Sequence, residues 1–222
     1  MWLNRLLFST YKAAFAGCVN RCFYEHLLRH TNDYESNTWL GQPIRQSPLD
    51  LQVIQETIWH LKPELLIETG TNRGGSALFY CHLFDLIGSG EVVSVDVSRM
   101  HDIKHPRAAF LIGSSVDKAV VSEIEARVAL TKGAVMVVLD SDHSEPHVLA
   151  ELKAYARFVT DGSYCLVQDG VIDQLSFLRK LRPGPLPAIE RFLAENRDFM
   201  VDASKCKRYL VTHHPKGWLK RV

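Results

Sequence analysis

The sequence has almost no surplus of charge and no long apolar run. Its 26 basic and 25 acidic residues leave a net charge of +1, so there is no general electrostatic reason for nucleic acid or an anionic membrane to be the main partner. The apolar N-terminal stretch is interrupted by Arg5 and Lys12 and is too short to cross a bilayer or serve as a secretory signal. Small molecules are the favoured partners.

Cysteine is scarce and forms no recognisable pattern. The five cysteines are an odd number scattered along the chain, and Cys81 and Cys165 fall inside apolar segments, where a free thiol behaves as a small hydrophobe. Cys18 and Cys22 lie four residues apart, but no second cysteine or histidine pair completes a zinc pattern. This usage favours a reducing cytoplasm.

Repeats and low-complexity tracts are absent, and 222 residues of which 46% are hydrophobic suffice for one sizeable domain plus an appendage. Apolar residues recur at helical spacing before His30, which predicts a helix packed on the domain or on a second subunit. A peripheral membrane contact through this helix is a disfavoured alternative. We expect residues 1–47 to form a helical extension with a connecting segment, and residues 48–222 to form the main domain.

Predicted strands and helices alternate in the main domain. The expected strands begin at Leu65, Glu91, Ala108, Ala134 and Ser163, and the expected helices are Pro48–Leu61, one from Ser76, Asp117–Leu130, His147–Phe158 and Ala188–Asn196. Phe199–Asp202 and Lys207–His213 are expected to form an antiparallel hairpin at the sheet edge. This alternation predicts an α/β fold with a mostly parallel sheet and helices on both faces.

A glycine-rich turn follows the first predicted strand. Its glycines allow tight backbone angles or a close approach to a ligand. It is not the G-x-G-x-x-G dinucleotide pattern, because the second glycine lies four residues after the first and a carboxylate precedes both. The candidate cofactor-binding residues of this turn are Glu68, Gly70, Thr71, Asn72, Gly74 and Ser76.

Asp96 ends the next strand, 26 residues after Gly70, where a carboxylate would accept two hydrogen bonds from a ribose diol. That position fits NAD or S-adenosylmethionine. Glu68 favours the latter, because a carboxylate beside the loop repels a pyrophosphate but attracts the cationic methionine portion. Ser114 and Ser115 follow the third strand and are expected to meet the adenine edge, to cap the following helix, or both.

Oxygen-bearing side chains end two later strands. Asp140, Gln168 and Asp169 would converge at the mouth of a parallel sheet and suit a hard cation such as Mg²⁺. His143 would flank the ion and remove a hydroxyl proton, since its pKa is close to working pH. Asp140 would also border the cofactor. A zinc site on His143 and His147 and a purely structural acid cluster are the alternatives.

Four strings carry a resemblance when their order and spacing are taken together. They are Glu68–Ser76, Gly113–Asp117, Val138–Ser144 and Gly162–Asp169. They resemble the cephalosporin hydroxylase / rhamnosyl O-methyltransferase family, over a similarity that extends from about Trp39 to Trp218.

The resemblance implies a Rossmann-like class I methyltransferase fold with a seven-stranded sheet, magnesium-assisted O-methylation and a homo-oligomer. It matches Asp140 and Asp169 to metal ligands and His143 to a general base. Gln168 departs from the pattern, because the family commonly has Glu there; an amide keeps the oxygen donor but removes one negative charge. We therefore expect a Mg²⁺-dependent transfer of the S-adenosylmethionine methyl to a hydroxyl of a sugar or other secondary metabolite. An NAD-linked oxidoreductase and a non-catalytic binding protein on the same fold remain alternatives.

Overall fold

The fold is one seven-stranded sheet with helices on both faces and a long helix before it. The computed structural model describes the backbone of residues 2–31 and 33–222, and before residue 35 it describes the side chains of residues 15 and 17–31. In that part of the chain, no helix combines the length and the apolar character needed to span a membrane.

The helices and strands agree closely with the predicted order. The helices are α1 (Trp2–His30), α2 (Asp33–Ser36), α3 (Pro48–Leu61), α4 (Gly75–Ile87), α5 (Lys118–Leu130), α6 (Glu145–Tyr155), α7 (Pro185–Glu195) and α8 (Ala203–Cys206). The strands are β1 (Thr38–Trp39), β2 (Gln42–Pro43), β3 (Leu65–Thr69), β4 (Glu91–Asp96), β5 (Ala108–Ile112), β6 (Val135–Leu139), β7 (Tyr164–Val167), β8 (Phe199–Val201) and β9 (Trp218–Arg221). Short 3-10 segments cover Ala156–Phe158, Gly170–Asp173 and Ser176–Leu181.

The large sheet has the strand order β5-β4-β3-β6-β7-β9-β8. The first five strands in this order are parallel, and β9 runs antiparallel to both β7 and β8. Strands β3 and β6 are buried along their whole length, as expected of strands covered on both faces. The predicted class, a mostly parallel seven-stranded sheet with an antiparallel edge, is confirmed.

Two apolar layers sandwich the sheet. One contains Ile54 and Ile58 of α3 with Phe84 of α4, and the other contains Leu152 of α6 with Phe192 of α7. Helical spacing places these side chains on one face of each helix, which is why each helix can cover a sheet face. The packing fixes the strand ends, where the candidate site lies.

The predicted edge hairpin is wrong in one of its two strands. Residues 207–213 form turns instead, and β9 is the strand that pairs with β8. The polar side of that segment turns inward, because Thr212 Oγ1 donates to Asp50 Oδ1 (2.6 Å) and the His213 amide donates to Asp50 Oδ2 (2.8 Å). Buried polar contacts therefore override its apparent strand pattern.

Candidate active site

Two cavities open at the carboxyl ends of the parallel strands. The first has a volume of about 340 Å³, and the second about 420 Å³. Four residues line both cavities: Gly70, Asn72, Asp140 and Ser141. Of the other predicted site residues, Thr71, Gly74, Ser76, His143 and Asp169 line the first cavity, whereas Asp96, Ser114 and Ser115 line the second.

The loop between β3 and α4 owes its shape to glycine. Gly70 has φ +89°, and a Cβ there would lie 1.9 Å from the carbonyl oxygen of Asp140. A Cβ on Gly75 would lie 2.2 Å from the carbonyl oxygen of Pro43. Only glycine permits both the left-handed backbone at Gly70 and these approaches. The loop and the start of α4 are therefore packed directly against the end of β6 and against the end of β2.

Glu68 lies beneath this loop and lines neither cavity. It is fully buried and pairs in register with Ser94 of β4, whose hydroxyl donates to Glu68 Oε2 (2.5 Å). Ser94 Oγ is also 2.6 Å from Thr71 Oγ1. Burial raises the pKa of Glu68 to about 7, although hydrogen bonds from Ser76 and Ser94 oppose the rise. The contacts make Glu68 a support for the loop.

Asp96 and the two serines occupy different parts of the second cavity. Asp96 Oδ2 accepts the Asn72 amide (2.7 Å), which ties the end of β4 to the glycine loop. Helix α5 begins after Asp117 rather than after a serine, so neither Ser114 nor Ser115 is its N-cap. Ser115 Oγ instead lies 3.1 Å from His147 Nε2.

Asp140, His143 and Asp169 form a compact cluster in the first cavity. One ligand atom from each lies within 4.8 Å of the others, and His143 Nε2 is 3.0 Å from Asp169 Oδ2. The sharp turn after β7 brings Asp169 there, with φ +56°. The cluster therefore combines two carboxylates with one imidazole at the edge shared with the cofactor loop.

The ionisable side chains of this cluster shift one another's pKa values. Burial, and then repulsion by Asp169, raises the pKa of Asp140 well above its usual range. Burial also disfavours the charge on Asp169, but His143 and His213 outweigh it and lower the pKa of Asp169 well below its usual range. Burial lowers the pKa of His143, but Asp169 overcomes this and raises it to about 9. Two facing carboxylates of this kind favour a shared cation.

Gln168 lies behind the two acids and lines neither cavity, but a second glutamine connects it to them. Gln46 Nε2 donates to Asp140 Oδ2 (3.0 Å) and to Gln168 Oε1 (2.5 Å). Gln46 Oε1 is buried and has no hydrogen-bond partner in the part of the chain that the structure describes. Two carboxylates and two amide oxygens, one of which is the orphaned Gln46 Oε1, form a donor set that fits a hard divalent cation.

Sequence reasoning missed three residues that position the cluster. His213 Nδ1 lies 2.7 Å from Asp169 Oδ1, and the Asp169 amide donates to His214 Nδ1 (3.1 Å). Gln46 comes from the predicted connecting segment. Consecutive histidines at the end of the last predicted strand are a usable signal, whereas a lone glutamine in an irregular segment is not.

The strand order and the paired cavities define a class I methyltransferase fold. The Rhamnosyl O-methyltransferase/CmcI family matches residues 32–222, and the chain belongs to that family. This confirms the predicted resemblance and the predicted enzyme class, an O-methyltransferase.

Individual relatives agree with this assignment. A rhamnosyl O-methyltransferase of Mycobacterium tuberculosis (strain ATCC 25618 / H37Rv) is 34% identical over 196 residues, covering 85% of this chain and 79% of the relative. The Mycobacterium leprae protein of the same name is 32% identical over 193 residues, covering 85% and 84%. Among solved structures, "cmcI-D160 Mg-SAM" superposes with a TM-score of 0.66 at 20% identity, covering 86% of this chain and 78% of that one. At this identity the structural likeness establishes the fold.

Proposed function

We propose that this chain transfers the methyl group of S-adenosylmethionine to a hydroxyl group of a sugar or related natural product, with Mg²⁺ in the acidic cluster. The common wall of the two cavities supports this proposal, because Asp140 faces the cofactor loop on one side and the acidic cluster on the other. Curated relatives named rhamnosyl O-methyltransferases support a sugar acceptor.

The second cavity suits the adenosine portion of the cofactor. Asp96 offers its carboxylate to a ribose diol, and Ser114 and Ser115 also line this cavity. Gly70 and Asn72 continue into the first cavity, where the methionine portion would lie. The bound cofactor supplies an electrophilic methyl group on a sulfonium.

Asp140 and Asp169 would hold the cation, with the amide oxygen of Gln168 behind them. Gln46 can contribute its orphaned Oε1 by a local rotation of its carboxamide. Magnesium in such a site lowers the pKa of a coordinated acceptor hydroxyl. The loss of one charge at position 168 is therefore compatible with a magnesium site.

His143 is the proposed general base. It lines the first cavity, and Asp169 orients its ring through the 3.0 Å contact. In its neutral form the imidazole can accept the proton of an acceptor hydroxyl. A cation bound to Asp169 would offset the negative charge that raises the pKa of His143. The pKa of His143 would then fall, which favours the neutral imidazole.

Two experiments test the proposal. S-adenosylhomocysteine should bind the protein in calorimetry, whereas NAD should not; saturation by NAD alone would favour the oxidoreductase alternative. A methyl-transfer assay with rhamnosides should give product with magnesium and lose it in excess chelator. Cofactor binding without product on any sugar acceptor would instead favour the non-catalytic alternative.

We propose a homo-oligomer, a catalytic domain over residues 48–222 and a cytoplasmic location, the last because all five cysteines are free thiols. The contact of Gln46 with Asp140 adds the end of the preceding segment to the site.

A further inference from the structure

A third cavity, which shares no lining residue with the two at the strand ends, is lined by basic side chains. It lies between the end of α1 and the 3-10 segment Ser176–Leu181, with a volume of about 570 Å³. Its basic lining comprises Arg21, Arg29, Arg179, Arg182, His26 and His30, with Glu25 as the carboxylic acid among the lining residues. The volume falls within the range of small-molecule sites.

The charge of the segments that line this cavity differs from the nearly neutral charge of the whole chain. The first 24 residues contain no Asp or Glu, and neither do residues 174–189, whereas the complete chain has a net charge of +1. At the cavity, the fold brings Arg21 of the first segment together with Arg179 and Arg182 of the second. Clustered guanidinium groups repel one another, and a bound anion relieves that repulsion.

The walls of the cavity are held in place by specific bonds. Glu25 Oε2 accepts the Ser176 amide (2.9 Å), and Arg29 donates both to Glu25 Oε1 (2.9 Å) and to Ser176 Oγ (2.9 Å). Arg182 donates to the carbonyl oxygens of Ile172 and Leu175. The acid of the cavity is therefore already engaged, and two of the four arginines form part of the scaffold.

The other two arginines remain available for a ligand. Arg21 and Arg179 are exposed, and within residues 2–31 and 33–222 neither forms a hydrogen bond or an ion pair with another side chain. A guanidinium group presents a planar fork of donors that matches phosphate oxygens and binds them bidentately. Their position at a preformed concave wall suits the anionic oxygens of a phosphate group.

We propose that this basic cavity binds a phosphate-bearing ligand, held chiefly by Arg21 and Arg179. The phosphate can belong to a soluble pyrophosphate ester or to the headgroup of an anionic lipid, since both offer the same oxygens. The cavity is connected to the catalytic edge, because Asn20 joins Gln174 (3.3 Å) to the Thr212 amide (2.7 Å) directly before His213.

The test uses the full chain without magnesium and saturated with S-adenosylhomocysteine, so that the cofactor cavities are filled. Inorganic pyrophosphate is titrated by calorimetry at about 0.15 M ionic strength. In parallel, co-sedimentation compares vesicles of phosphatidylcholine with vesicles that also contain phosphatidylglycerol. The double variant Arg21→Ala/Arg179→Ala is compared with Lys104→Ala/Lys132→Ala, which removes two exposed lysines outside the cavity lining.

We expect the wild type to bind at least one probe, the arginine variant to bind it at least 10-fold more weakly, and the lysine variant to match the wild type. Pyrophosphate binding identifies a soluble ligand; binding only to phosphatidylglycerol vesicles identifies a lipid headgroup. Absence of binding to both probes, equal binding by the arginine variant, or equal loss in the lysine variant overturns the proposal. Unchanged S-adenosylhomocysteine affinity in both variants verifies their folding.

Discussion

The cofactor loop and the acidic cluster lie at the same edge of the sheet but are assembled differently. Residues 68–76 form the loop as one continuous segment, whose shape depends on Gly70 and on bonds to the neighbouring strand β4. The cluster and the residues that position it come from four distant segments, which contain Gln46, Asp140, Asp169 and His213. The donor side is therefore encoded locally, whereas the acceptor side depends on the completed fold.

The largest expected effect is at Gly70, where the two sides touch. Gly70→Ala would place a Cβ 1.9 Å from the Asp140 carbonyl oxygen, and we expect it to lower the free energy of unfolding by more than about 4 kcal/mol. Urea unfolding measures this. Gly88→Ala is the matched control, because Gly88 has φ +88° but no atom within 4 Å of its added Cβ, and it should cost only about 1 kcal/mol. Equal costs would contradict the role of the close approach.

Substitution of His143 tests whether proton removal from the acceptor depends on the acidic cluster and is separate from cofactor binding. His143→Ala should lower kcat by about 100- to 10,000-fold, while the Kd of S-adenosylhomocysteine stays unchanged. Single-turnover methyl transfer and calorimetry provide the two measurements. His60→Ala, at an exposed position on α3, serves as the control. Wild-type turnover in His143→Ala would exclude this residue as the general base.

The pH dependence of the free energy of unfolding tests whether Glu68, beneath the loop, has a raised pKa. Its pKa is raised from 4.5 to about 7, so between these values the folded state binds more protons than the unfolded state. The free energy of unfolding should therefore fall as pH rises through this window, by about 1.4 kcal/mol per pH unit and about 3 kcal/mol in all. Above about pH 7 the effect levels off.

The measurement compares urea unfolding of the wild type and Glu68→Gln at several pH values from 4.5 to 8. The difference between the two proteins should change across the window, since the amide does not titrate. Parallel stability curves for the two proteins would show that Glu68 does not have a raised pKa.

The smallest expected effect is at His213, which acts through Asp169. His213→Asn should weaken magnesium binding by about 10- to 100-fold, as is usual for partners of metal ligands, because Asp169 loses the contact that orients Oδ1. A magnesium titration measures the affinity of the variant for the ion. Turnover of the variant should recover as higher magnesium concentrations restore binding. The affinity for S-adenosylhomocysteine should not change; a loss there would place His213 on the donor side as well.

The fold was largely predictable because its signals are local. Apolar runs that end in acids marked β4 and β6, and the glycine spacing marked the start of α4. The edge strand was mispredicted, since Thr212 and His213 turn inward to reach Asp50 on α3, and no local pattern announces a contact that distant. The same reason hid Gln46, whose partner Asp140 is 94 residues away.

Glu68 shows how much of a side chain's surroundings depends on the neighbouring strand. The sequence predicts that this carboxylate faces the methionine portion of the cofactor, and that contact stays a prediction. The structure places Glu68 under the loop against Ser94, because the register of β3 against β4 sets the neighbours of each strand residue. Composition and spacing identify the residue type needed at a site, while strand register decides its use.

The position of Asp140 in both cavities has a thermodynamic consequence. A single carboxylate that borders the cofactor and the proposed cation cannot respond to one ligand without altering its interaction with the other. Cofactor and magnesium binding should therefore be energetically linked, and the factor by which magnesium changes the affinity for S-adenosylhomocysteine must equal the factor by which S-adenosylhomocysteine changes the affinity for magnesium.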